Sequence, residues 1–339
     1  MEGIYLHIQI VLFDGFDLLD AIAPYEVFTA ADMYSNENIT VELVSAEGKR
    51  MVTSGVNHLQ IQAGSKLDLT RKGIILVPGA SGSVHDHGPE SIPVKLQQAT
   101  ETELGNLLKE AIKKPDILLS TICGGSLILA MGGLLENRHA VTHHMGMGLL
   151  SATNAIPVNA RIVDDGNIVT GGGVTSGLDV ALYLVERELG PRIAHAVEQL
   201  FEYERRGTVW RAEGNIPIEN QQENIIETRS DDTLIKPDMN FDFQGKWDTT
   251  ISTPIGTLSV LLNFTIKDGQ ITGTAKQGEN LVTLDNLVVE GNQLKWAMKV
   301  LKPMPLNLKF IVSVDGNNMI GEAKAGMLPA SKLVGHRIS

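Results

Sequence analysis

Cys123 is the only cysteine in the 339 residues of this chain, and it closes the apolar run DILLSTI (116–122) directly before Gly124 and Gly125. A strand, then Cys-Gly-Gly, then an apolar helix is the pattern of a nucleophile elbow. The sharp strand-to-helix turn lifts a side chain out of the end of a sheet, and small neighbours let the backbone make that turn. At a helix start the sulfur meets free N–H groups and the positive end of the helix dipole. Both favour the thiolate, the form that attacks electrophiles. The pattern predicts a nucleophile at the carboxyl end of a strand, where α/β proteins place their ligand sites. It also predicts an alkylation midpoint below the ~8.5 of a free cysteine. The alternative use of a lone cysteine is as a small buried hydrophobe.

Other residues capable of chemistry carry weaker signals. SVHDHG places His85, Asp86 and His87 in alternation. Alternating histidines can ligate a metal, but a polar loop beside glycine and proline is the commoner use of such a stretch, and no metal is expected. TGGGVTSG (170–177) precedes a helix without either glycine spacing that cradles phosphates. It predicts backbone packed close to the elbow, and no cofactor is expected. Trp210, Trp247 and Trp296 are read as core or interface residues.

Alternating elements must position the cysteine. Strands are expected over 6–13, 39–46, 73–79 and 116–122. Helices are expected over 18–34, with Pro24 as a kink or restart, over 96–112 and over 176–190. Gly190 ends the last of these, and Pro191 opens another that runs to about Arg206. This is the order of an α/β domain with a mostly parallel sheet flanked by helices, assigned to 1–206. Residues 207–243 are polar without a clear period and read as a linker. From 244 to 339 the period becomes two. Leu258, Val260, Leu262, Phe264 and Ile266 form one alternating set, Leu294 to Val300 a second, and Leu306 to Val314 a third. Turn signals stand at Asp268-Gly269, Gly291-Asn292 and Asp315-Gly316. A small antiparallel barrel or sandwich is expected there.

Composition bounds the function. With 28 basic and 40 acidic side chains, net charge −12, the chain lacks the basic footprint of a general nucleic-acid binder. No apolar run reaches the ~20 residues needed to cross a bilayer, and MEGIYLHIQIVLFDGFDLLD does not read as a signal peptide. One cysteine forms no internal disulfide. A cytoplasmic protein without nucleic-acid or membrane partners is expected.

STICGGSLILAMGGLLENRHAVTHH resembles the nucleophile segment of the ThiJ/PfpI superfamily, the class I glutamine amidotransferase-like fold. VLFDGFDLLDAIAPYEVF (11–28) is similar to that family's first strand and helix, and ILVPGASG (75–82) to the loop that faces the nucleophile. IVDDGNIVTGGGVTSGLDVALYLVERELG (162–190) is similar to a segment of the isonitrile hydratase branch and of the sensor domains of AraC-type regulators. The four segments fall in family order within residues 5 to about 206. The resemblance implies roles. Cys123 is the nucleophile, and Asp20 is the acidic residue that hydrogen-bonds it and handles a proton; otherwise Asp20 is a first-turn aspartate. The N–H groups of Gly124 and Ala80 form an oxyanion hole. His143 takes the family's Thr-His position, or is a structural histidine. Gly79, Gly172 and His144 line the site with them.

Three positions depart from the resemblance. Pro78-Gly79-Ala80 replaces Pro-Gly-Gly, Gly124 stands where hydratases carry threonine, and His144 where relatives often carry tryptophan. The activity implied is that of a hydro-lyase, isonitrile to N-substituted formamide, on a small molecule in a homodimer. Glyoxalase- or deglycase-like work, another addition, elimination or cyclisation, and a non-catalytic binding or redox-sensing role are the alternatives. The C-terminal half carries no convergent acids, histidines or nucleophiles and no helix-turn-helix. It is read as a lid, dimerisation or substrate-restricting module.

Overall fold

The computed structural model describes residues 5–36, 38–83, 88–215, 243–253, 256–267, 270–278, 280–300, 306–326, 328 and 330–338. They form two compact units, one running through Arg211 and one holding most of the antiparallel strands that follow. Trp210 N–H donates to Ile162 O at 3.0 Å and Asp164 N–H to Trp210 O at 2.9 Å, so the first unit continues past residue 206. Residues 216–242, most of the stretch read as a linker, lie outside the described residues.

The first unit begins with β1 (Tyr5–Val11), α1 (Leu18–Tyr34) and β2 (Asn38–Ser45), then a hairpin of β3 (Arg50–Thr53) and β4 (Gln60–Ala63). β5 (Ser65–Lys66) and β6 (Gly73–Val77) follow, with α2 (Ile92–Glu101), α3 (Glu103–Ala111), β7 (Ile117–Thr121) and α4 (Gly125–Met131). Next come β8 (His139–Ala140), α5 (Met147–Ala152), β9 (Ile156–Pro157), β10 (Ile162–Asp164) and β11 (Ile168–Gly171). α6 (Ser176–Leu189) and α7 (Pro191–Phe201) complete it. The main sheet runs β10-β11-β7-β6-β1-β2-β5, parallel except where β10 meets β11. β7 is buried at every position and β6 at all but its first, as continuous apolar runs covered on both faces must be.

Two helices differ from the sequence reading. The stripe over 96–112 is divided between α2 and α3, because Thr102 ends one and its hydroxyl caps Leu104 N–H of the next at 3.3 Å. α7 stops at Phe201, where Glu202 turns left-handed at φ 48°. Pro24 lies within a continuous α1; its missing N–H removes one hydrogen bond without ending the helix.

Asp179 ties the end of this unit together. Its buried carboxylate accepts from Arg161 Nε at 2.6 Å, Tyr203 Oη at 3.0 Å and Arg206 N–H at 2.7 Å. Arg161 also reaches Thr175 Oγ1 at 3.0 Å.

The second unit is a nine-stranded antiparallel sheet, nearly closed into a barrel where β14 meets β16. Its strands are β12 (Gly245–Thr253), β13 (Gly256–Lys267), β14 (Gln270–Gln277), β15 (Asn280–Thr283), β16 (Asp285–Glu290), β17 (Gln293–Val300), β18 (Leu306–Asp315), β19 (Asn318–Ala325) and β20 (Ser331–Arg337). The alternating positions face inward: Val260, Leu262, Phe264, Leu294, Trp296, Met298, Leu308 and Phe310 are buried. Gly291 and Gly316 take φ of 59° and 58° in their turns; Asp268-Gly269 lies outside the described residues.

Candidate active site

Three adjacent strands bring the site together at their carboxyl ends. Cys123 follows β7 with φ of 55°, a left-handed conformation held by its surroundings. Ile122 N–H donates to Val77 O at 3.1 Å, Cys123 N–H to Gly171 O at 3.1 Å and Gly125 N–H to Ile122 O at 2.9 Å. A Cβ at Gly125 would overlap the Val77 carbonyl oxygen. After β6 comes Gly79, where a Cβ would lie 2.6 Å from Gly124 N, 2.9 Å from Asp20 Oδ2 and 3.2 Å from Cys123 Cβ. β1 leads through a turn to Asp17, which caps α1 by accepting Leu19 N–H at 3.0 Å and Asp20 N–H at 3.3 Å.

Asp20 is fully buried. Its Oδ2 accepts Gly79 N–H at 2.9 Å, while Oδ1 has no nitrogen or oxygen partner and the side chain couples to the Cys123 thiol. Burial, reinforced by the charge of Asp17, raises its pKa from 3.8 to about 8, against the pull of Gly79 N–H and Cys123. Asp20 therefore holds its proton at neutral pH. Burial also raises the Cys123 pKa, with the Asp20 charge adding to it and the Gly124 N–H opposing it. The expected low thiol pKa is thus corrected. Cys123 is buried, 8% exposed, and the desolvation penalty on its anion exceeds what amide donors recover. Two acids this close titrate as a pair. When Asp20 is protonated, the repulsion that opposes the thiolate is lifted.

The backbone amides around the sulfur have different partners. Gly124 N–H interacts with the Cys123 sulfur. The bridge between Phe16 and Ala80 uses Asp17 N–H to Gly79 O at 2.8 Å and Ser81 N–H to Gly15 O at 3.0 Å. That leaves Ala80 N–H without a hydrogen bond among the described residues. Gly79 N–H is committed to Asp20 and is no oxyanion donor. Lys95, buried in α2, pins this loop: its Nζ donates to Ser81 O at 3.1 Å and pairs with Glu90 at 2.9 Å.

A cavity of about 360 Å³ opens onto the sulfur. Ile92, Pro93, Leu96, Leu127, Leu149 and Val174 form apolar walls, and Asp17, Ala80, Gly124 and His143 give polar contacts. His143 Nδ1 accepts Met145 N–H at 3.3 Å, and burial followed by the neighbouring His144 lowers its pKa. His144 is exposed and meets His143 ring to ring at 4.2 Å without lining the cavity. Gly172 donates to Arg161 O at 3.0 Å, and its neighbour Gly171 supports the elbow. Thr142 Oγ1 donates to Cys123 O at 2.7 Å. His85, Asp86 and His87 lie outside the described residues. No cluster of metal-ligating side chains occurs among the described ones.

The sequence reading missed Asp17 and Lys95. The signal for Asp17 was the spacing Asp17-Leu18-Leu19-Asp20, a cap followed by an acid in the first turn. For Lys95 it was one cation next to the buried stripe of Leu96 and Ala99.

Comparison with known proteins follows the same segments. Residues 7–187 match the DJ-1/PfpI family. The chain is 33% identical to the isonitrile hydratase of Pseudomonas putida over 199 residues, 58% of this chain and 78% of that protein. It is 24% identical over 193 residues to the HTH-type transcriptional regulator CdhR of Pseudomonas aeruginosa, covering 56% of this chain and about half, 53%, of the regulator. A ThiJ/PfpI family protein from Pseudomonas syringae has the same fold, at a TM-score of 0.50 and 23% identity over 60% of this chain and 78% of that one. Among the described residues, no helix is long and apolar enough to cross a membrane.

Proposed function

The chain belongs to the DJ-1/PfpI family, and on that footing we propose that it is a cysteine-dependent enzyme that hydrates a small isonitrile to an N-substituted formamide. The observation that carries this reading is the buried pair: a thiol at an elbow facing a carboxyl held protonated to about pH 8. An isonitrile carbon needs a nucleophile and a proton at one atom, and the pair supplies both. Cys123 Sγ bonds to the carbon while Asp20 delivers a proton to it, and the thiol proton replaces the one Asp20 gave. The product is a thioimidate. Water adds to its carbon, the C–S bond breaks, and the thiol proton returns as the formamide leaves. Gly124 and Ala80 N–H groups steady the oxygen that develops negative charge.

The test is direct. Purified full-length chain with an alkyl isonitrile should give the matching formamide by NMR, and Cys123→Ala should give none. Absence of product from the unaltered chain overturns the reaction. A second reading is favoured by the regulator relative and by the raised thiol pKa: a protein that binds a small molecule without turning it over. Saturable binding without product formation would support it. A homodimer remains part of the proposal, checked by sedimentation.

A further inference from the structure

We propose that Asp17 makes this cavity select by charge. It admits electrophiles that are neutral, or that carry a cation or N–H donor beside the reacting carbon, and it rejects those bearing a carboxylate, sulfonate or phosphate. The proposal rests on the reading of Cys123 as nucleophile. Asp17 lines the cavity next to the sulfur. Its Oδ1 is occupied by Leu19 and Asp20 N–H groups, while Oδ2 has no hydrogen bond or ion pair among the described residues. Its charge reaches both members of the buried pair. No described lining residue is lysine or arginine, and the nearby Lys95 is committed to Glu90 and Ser81 O.

An anion in the cavity would meet Asp17 with no lysine or arginine in the described lining to offset it, between apolar walls that screen little. A cation or N–H donor would instead find Asp17 Oδ2 open as a charge-assisted acceptor.

Three methanethiosulfonates of similar size, one neutral, one with a trimethylammonium group and one with a sulfonate, test the idea on the full chain. In each case Cys123 sulfur bonds to the reagent's sulfenyl sulfur, methanesulfinate leaves with the bonding pair, and the thiol proton passes to solvent. Rates are read by intact mass, each divided by that reagent's rate with a small free thiol, with Cys123→Ala as the blank. The cationic reagent should outpace the anionic one by at least about tenfold. Asp17→Asn and Asp17→Ser both keep a capping oxygen, and each should bring the two rates within about threefold. Equal rates in the unaltered chain, or a ratio that neither substitution changes, overturn the proposal and leave the nucleophile standing. Failure of even the neutral reagent to modify Cys123 overturns the nucleophile reading and this proposal with it.

Discussion

The two units distribute buried polarity differently. Among the described residues, every buried polar or charged side chain except Thr249 belongs to the α/β unit. That unit holds the buried and unpartnered Asp20 Oδ1, and Cys123 is its buried non-glycine residue at positive φ among those described. The antiparallel unit is packed by alternation. Trp296 stacks on Phe310 at 4.7 Å and meets Phe264 edge-on at 5.4 Å, with Trp296 Nε1 as its one orphaned side-chain atom among those described. A polar group taken from water without a partner costs free energy. The α/β unit also holds orphaned atoms on His7, Ser91, Ser120 and Ser176, and Asp20 is the one among them whose side chain couples to the Cys123 thiol.

The largest expected effect tests that contrast at its centre. Asp20→Asn keeps the shape and the Gly79 contact but donates no acidic proton, so turnover should fall about 10²–10⁴-fold. Loss of less than tenfold would detach the carboxyl from the reaction. The same substitution should stabilise the fold. Unfolded, Asp20 ionises near 3.8; folded, near 8. Between those values the unfolded chain binds fewer protons, so stability is lost as pH rises. Asp20→Asn should remove that slope in denaturant titrations and add up to about 4 kcal/mol at pH 7. A decrease would mean the buried carboxyl is a structural asset, and the contrast would dissolve.

Trp296→Ala probes the other side. It should cost about 3–5 kcal/mol of stability in the antiparallel unit and leave the Cys123 alkylation rate where it was. A changed alkylation rate would break the division between chemistry and packing. A smaller effect is expected at Lys95. Lys95→Met frees Ser81 O and should slow Cys123-dependent turnover about tenfold at unchanged KM, with Lys95→Arg recovering part of it. Full activity in Lys95→Met would show that the loop holds itself. The smallest effect is at Gly124, where a Cβ would come 3.1 Å from Leu96 Cδ1. Gly124→Thr requires that side chain to yield slightly, and turnover should stay within about threefold of the unaltered chain.

Local patterns were legible and convergent ones were not. The apolar runs of β6 and β7, the elbow at Cys123-Gly124-Gly125 and the alternation from Val260 to Phe264 depend on neighbours in sequence. The break at Thr102 was hidden because the apolar stripe continues through it and only the hydroxyl cap interrupts the helix. The thiol pKa was misjudged for a different reason. Helix start and amide donors are local and point downward, whereas burial and the opposing Asp20 and Asp17 charges come from the start of α1, about a hundred residues earlier in the chain. Lys95 stayed unnoticed because a lysine beside a buried stripe normally reaches solvent, and only the fold shows it turned under the Ser81 loop.

The attachment of Trp210 to Ile162 and Asp164 has a further consequence. β10 is the last strand on its side of the sheet, and Trp210 occupies the backbone groups that strand would otherwise present to solvent. Bare strand edges recruit strands from other molecules. A chain shortened to end at Arg206 keeps the clasp at Asp179 but uncovers that edge, and it should self-associate into aggregates. One ending at 215 retains the cover and should stay dispersed, which makes one tryptophan a guard against aggregation.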